Sequence, residues 1–98
     1  SGTEWATKTG TYTAFPGDNL FANTSGGAFT ITLPASPTVG DEVRFLDLAN
    51  TFDTNNLTVA RNSEKIDGTA ADLTVATEGA AFSLVYSGST YGWKLTEK

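Results

Sequence analysis

The sequence predicts an all-β fold: a small antiparallel β-sandwich or barrel of seven to nine short strands. Three observations carry that expectation. Seventeen threonines and ten glycines favour extended segments joined by tight turns. Phe29, Ile31 and Leu33 alternate with Thr30 and Thr32, the period of a strand with one buried face. Turn signals recur at a spacing of about 10 residues, while no stretch sustains the 3.6-residue period of a helix. The nearest helical candidate, 63–73, is broken by Gly68.

The elements follow in order. Segment 4–13 reads as extended, interrupted at Gly10 and anchored by Trp5 and Tyr12. Phe15-Pro16-Gly17-Asp18 suits a type II turn. A short strand at 19–24 is followed by the Gly26-Gly27 turn and a strand at 28–33, so these two predict a hairpin. Pro34 ends the second of them because it lacks an N–H. Segment 35–38 is a stiff connector, and Gly40-Asp41 turns the chain into 41–49. That strand carries Val43 and Phe45 on one face and Leu46 and Leu48 on the other, which predicts a central strand covered on two sides or set against a partner. Segment 50–56 is a polar loop holding one phenylalanine. Strand 57–61 points Leu57 and Val59 inward, Asn62-Ser63-Glu64 turns, and Asp67-Gly68 favours positive φ. A strand at 73–76 closes at Glu78-Gly79. The clearest hairpin joins 81–86 to 91–96. Segments 56–60 and 72–76 echo each other (NLTVA, DLTVA), as two strands meeting one demand would.

Ninety-eight residues predict a single β domain over 1–98. A net charge of −5 and a pI near 4.3 make nucleic acid and anionic membranes poor partners. There is no cysteine and no histidine, so thiol chemistry and the commonest general base, metal ligand and pH switch are all missing. No apolar run approaches the ~20 residues of a membrane span.

Two stretches, GDNLFANTSGGAFTITLPASPTVGDEVRFLDL (17–48) and NNLTVARNSEKIDG (55–68), together with Gly92-Trp93, resemble a β-rich module of tailed-bacteriophage tail-fibre and virion appendage proteins. The recurring pattern is Gly26-Gly27, Phe29, Ile31-Thr32-Leu33-Pro34-Ala35, then Pro37, Gly40-Asp41 and Asp47, then Asn56-Leu57-Thr58-Val59, Arg61-Asn62 and the closing Gly92-Trp93. It spans about Trp5 to Leu95. Ser63 stands where the pattern often has glycine. Serine tolerates positive φ poorly, which argues against a type I′ turn there. The resemblance implies an all-β part of the virion, exposed to the extracellular medium and commonly trimeric, that serves structure or host contact and is not an enzyme. With no methionine in the chain, Ser1-Gly2 reads as a cloning scar and the whole as part of a larger virion protein.

Several constellations bear on function. Asp47, Asn50, Asp53, Asn55 and Asn56 crowd one loop, and such oxygens suit Ca²⁺. Their spacing does not match the calcium loop of a helix–loop–helix site, and Asn and Asp also serve turns, so turn chemistry is the expected role and no cofactor is expected, with Ca²⁺ as the alternative. Arg44 and Arg61 lie beside acids; Arg61 is expected to turn toward Asp47 or Glu64, a bidentate pair suiting the rim of a β domain, with contact to an anionic sugar as the functional alternative. Trp5, Tyr12, Tyr86, Tyr91 and Trp93 are a candidate platform for sugar rings, with core or subunit packing the expected role of both tryptophans. Asp41-Glu42 cannot form a glycosidase pair, because neighbours in a strand point to opposite faces.

The leading expectation is assembly, with sheet surfaces packing on copies of the chain or on a neighbouring shaft. A second is receptor or cell-surface glycan binding through loops 50–56 and 87–91, with Tyr91, Tyr12, Asn50, Asp53 and Asn55 as contacts. A third is capsid decoration. Phe29, Ile31, Leu33, Pro34, Val43, Phe45, Leu57, Val59 and Trp93 are the expected structural residues.

Overall fold

Nine strands form among the described residues, 4–96, of the computed structural model; Ser1-Gly2 lies outside them. The strands are β1 (Ala6–Lys8), β2 (Tyr12–Thr13), β3 (Asn19–Ala22), β4 (Phe29–Thr32), β5 (Glu42–Asp47), β6 (Leu57–Ala60), β7 (Leu73–Val75), β8 (Ala81–Tyr86) and β9 (Trp93–Leu95). No helix among these residues is long and apolar enough to cross a membrane.

The all-β character is as expected, but the antiparallel arrangement is not. Sheet A runs β1-β3-β5-β8-β9 and sheet B runs β2-β4-β6-β7. Both sheets are mixed: β1 to β3, β3 to β5, β2 to β4 and β4 to β6 are parallel. Only β5 to β8, β6 to β7 and β8 to β9 are antiparallel. The reason is the path of the chain. From β1 to β6 the strands alternate between the two sheets, so the chain winds and every second strand stacks in parallel. A parallel pair needs a long crossover, usually a helix; here a strand of the other sheet fills that role. The expected hairpin of 19–24 with 28–33 is therefore absent, since β3 and β4 belong to different sheets. Segment 4–13 likewise divides into β1 and β2, one in each sheet. The expected hairpin at the C-terminal end forms as β8 and β9, with Tyr86 opposite Trp93.

The turns fit their residues. Gly17 has φ of 88° and Asp18 N donates to the Phe15 carbonyl at 3.1 Å, the type II geometry. Asp67 and Gly68 both take positive φ, and Ile66 and Thr69 exchange both backbone hydrogen bonds. Asn62 and Ser63 also take positive φ, 51° and 78°, with Glu64 N donating to the Arg61 carbonyl. Ser63 thus adopts the I′ conformation its side chain disfavours.

Inward residues of both sheets share one core. Ile31, Leu33, Val43, Leu57, Val59 and Trp93 are fully buried, Phe45 nearly so and Pro34 buried, while Phe29 is half-buried. Phe45 stacks on Phe82 with centroids 5.0 Å apart, and Trp93 packs on Tyr86 at 5.4 Å. Phe52, in the loop read as polar, is also fully buried. β5 is central, with Val43, Phe45 and the carboxylate of Asp47 inward. Its outer face bears half-buried Leu46, and Leu48 beyond it is exposed.

Sheet A ends at β9, whose outer edge is covered by the segment 65–68. Trp93 N donates to the Lys65 carbonyl, Asp67 N to that of Trp93 and Gly68 N to that of Tyr91, at 2.8, 2.6 and 2.8 Å. Gly92, at φ 72°, makes this approach possible: a Cβ there would overlap the Lys65 carbonyl.

Candidate functional site

Strand direction sorts the connections onto two rims. Tyr86 N donates to the Asp41 carbonyl and Gly17 N to that of Glu42, so 14–18, 33–41 and 87–92 meet at the start of β5. This is the upper rim, where 61–72 also lies. Asp47 N donates to the Ala80 carbonyl, so 23–28, 48–56 and 76–80 meet at the end of β5, the lower rim. Six residues of strand separate the two by roughly 17 Å.

The residues expected to touch a glycan are divided between these rims. Tyr91 and Tyr12 stand toward the upper one, and Asn50, Asp53 and Asn55 on the lower one. The structure does not bring them into one site.

The lower rim is bound to itself. Both carboxylate oxygens of buried Asp47 accept backbone N–H groups: Oδ1 from Thr51 at 3.1 Å, Oδ2 from Phe52 and Gly79, each at 3.0 Å. One side chain thus ties the β5–β6 corner to the β7–β8 turn. Thr24 is fully buried and shares a 2.7 Å hydroxyl contact with Thr51. Asn55 Nδ2 donates to the Thr24 carbonyl at 2.9 Å, joining corners of successive windings. Asn50 takes positive φ, 56°, and Asp53 is exposed. Among the described residues no group of three or more acidic side chains is placed to hold a metal ion. The density of Asn and Asp read from the sequence serves turns and corners.

The upper rim carries apolar side chains in solvent. Phe15, Val39 and Tyr91 are 67%, 69% and 63% exposed, more than any other large hydrophobic side chain described. They sit on three different connections that converge beside the start of β5. Beneath them two phenols are bound to acids. Tyr12 donates from its hydroxyl to Asp18 at 2.8 Å, and Tyr86 to Glu64 at 2.7 Å. Burial, then the Asp18 hydrogen bond and charge, push the Tyr12 phenol up to about 12. The Glu64 hydrogen bond, then burial and charge, raise that of Tyr86. Lys8 Nζ lies 3.8 Å from the Tyr12 ring centroid, a cation–π contact.

The two arginines differ from expectation. Arg61 meets Glu64 through the backbone, Nη1 donating to its carbonyl at 3.1 Å, and does not reach Asp47. Asp47 is filled by N–H groups instead. Arg44 contacts Glu42 through Nε alone at 3.5 Å, a single exposed pair.

The apolar upper rim had one sequence signal. Phe15 precedes Pro16-Gly17 and Val39 precedes Gly40, so each is a large hydrophobe placed in a turn, where it has no strand face to bury it. No protein-family model matches the chain, and no curated protein matches it.

Proposed function

We propose that the chain is a non-enzymatic structural module of a phage tail fibre or similar virion appendage, docking through its upper rim onto copies of itself or a neighbouring shaft. One observation carries the docking: Phe15, Val39 and Tyr91, on separate connections, are all held out at one end of the molecule. Clustered exposed apolar groups mark interaction surfaces, whereas single ones are ordinary. The virion setting rests on the sequence resemblance, which favours three copies. Only shape and apolar surface are required for this role, and the net charge of −5 keeps unassembled copies soluble.

Sedimentation velocity over a wide concentration range tests the reading. The expected result is reversible self-association toward a trimer, lost in the Phe15→Ser/Val39→Ser/Tyr91→Ser variant while its circular dichroism stays unchanged. A strict monomer at the highest concentration overturns self-docking and leaves only the neighbouring shaft, and association that survives in the triple variant overturns the upper rim as the docking surface.

A further inference from the structure

The outer face of sheet A bears a second surface of different chemistry. The register aligns Thr7 with Phe21, Leu46 and Ala81, and Asn19 with Arg44 and Ser83. Trp5, two residues before Thr7, falls on the same face. Its ring lies flat on Phe21, with centroids 4.8 Å apart and planes 15° from parallel. The chain just before it is pinned by Asn19 Nδ2, which donates to the Glu4 carbonyl at 3.0 Å. Trp5 is therefore a braced aromatic plate, still 38% exposed, and it walls a groove of ≈ 410 Å³.

The remainder of the groove is low and polar. Leu46 and Ala81 supply apolar floor, and Ser83 and Thr96 share a hydroxyl–hydroxyl hydrogen bond. Arg44 and Glu42 set donor and acceptor side by side, 52% and 39% exposed. Such a groove offers an aromatic plane, paired hydroxyls, and one group of each hydrogen-bonding sense. A pyranose ring is the complement: its C–H face lies on an aromatic plane, and its hydroxyls both donate and accept. A rigid tryptophan gives contact area at low entropic cost.

We propose that this groove binds a neutral saccharide. Charge disfavours the acidic alternative. Arg44 is paired with Glu42, and Lys94, on the same face, is held by Asp67 at 2.8 Å. Among the described residues the groove lining carries one cation and one carboxylate, with no excess positive charge, and the chain's net charge repels carboxylate and sulfate. The groove lies on the outer face of sheet A and uses none of Phe15, Val39 and Tyr91, so the proposal is independent of docking through those three side chains.

The test uses the full chain and three probes: the trisaccharides of glucose and of N-acetylglucosamine, and sialyllactose as the charged control. Trp93 is fully buried, so Trp5 emission and backbone amide shifts at 44–46 and 81–83 report the groove. The expected result is saturable binding of a neutral probe at millimolar concentration. Arg44→Ala, which leaves the Trp5 stack in place, weakens it roughly tenfold or more, the scale of a lost charged hydrogen bond. Trp5→Ala abolishes it, read from the amide shifts, and Tyr91→Ala leaves it unchanged. Any one of three outcomes overturns the proposal: no shift with either neutral probe, wild-type binding in both groove variants, or preference for sialyllactose.

Discussion

The two rims of this molecule are both built from strand connections and put to opposite use. At the lower rim, polar side chains turn back on the fold: Asp47 holds three N–H groups, and Thr24, Thr51 and Asn55 join adjacent windings. At the upper rim the backbone is equally well anchored, through Gly92 and the two bound phenols, yet Phe15, Val39 and Tyr91 point to solvent. Polar loops suggest contact and apolar side chains suggest core, and here both intuitions invert. A polar group consumed by its own backbone is unavailable to a partner, whereas an apolar group with nothing to cover it is free surface.

The sharpest way to break the contrast is at Gly92. Gly92→Ala forces a methyl group into the Lys65 carbonyl and a non-glycine residue into positive φ. Together these are expected to cost about 3–5 kcal/mol in urea denaturation. Asp47→Ala comes next. It strands three N–H groups, among them that of buried Phe52, for an expected loss of about 2–4 kcal/mol. A loss below about 1 kcal/mol would show that the lower rim does not depend on this carboxylate.

Alkali should act on the upper rim. Both bound phenols have raised pKa values, so the folded state favours their neutral form. Their contribution is complete below pH 10 and disappears as pH rises through about 12 for Tyr12. Hydrogen exchange at 15–18 and 64–66 should accelerate over that window before it does at 51–55, and Tyr12→Phe should flatten the stability profile at its alkaline end.

Ser63→Gly should raise stability by roughly 0.5–1 kcal/mol, the balance of relieved left-handed strain against glycine entropy. A fall in melting temperature would mean that the serine hydroxyl contributes more than the backbone strain costs. The smallest effect belongs to the upper-rim surface: Phe15→Ser or Val39→Ser should change monomer stability by less than about 0.5 kcal/mol. A larger change would show that these side chains pack within their own chain.

Much of this was legible in the residues. Alternation at 29–33 and 43–47, Pro16-Gly17, Asp67-Gly68 and the 81–86 hairpin partner each describe a local event, and local chemistry decides it. Strand pairing was not legible, because a period of two is the same whether the neighbouring strand runs parallel or antiparallel. The winding is also concealed by unequal steps. Leu20 stacks fourteen residues after Ala6, but Phe45 twenty-five after Leu20, so no repeat length appears. Phe52 was lost among polar neighbours that exist to hold it in place. The site residues failed to converge for the same reason: residues on consecutive connections belong to opposite rims, and sequence proximity carries no information about which.

Strand polarity has a practical consequence. β1 starts at the upper rim on one edge of sheet A, and β9 finishes at the lower rim on the other edge. A tag placed ahead of β1 would therefore enter beside the 14–18 connection that carries Phe15, while the same tag after β9 would leave in the direction of the lower rim and keep the upper one clear.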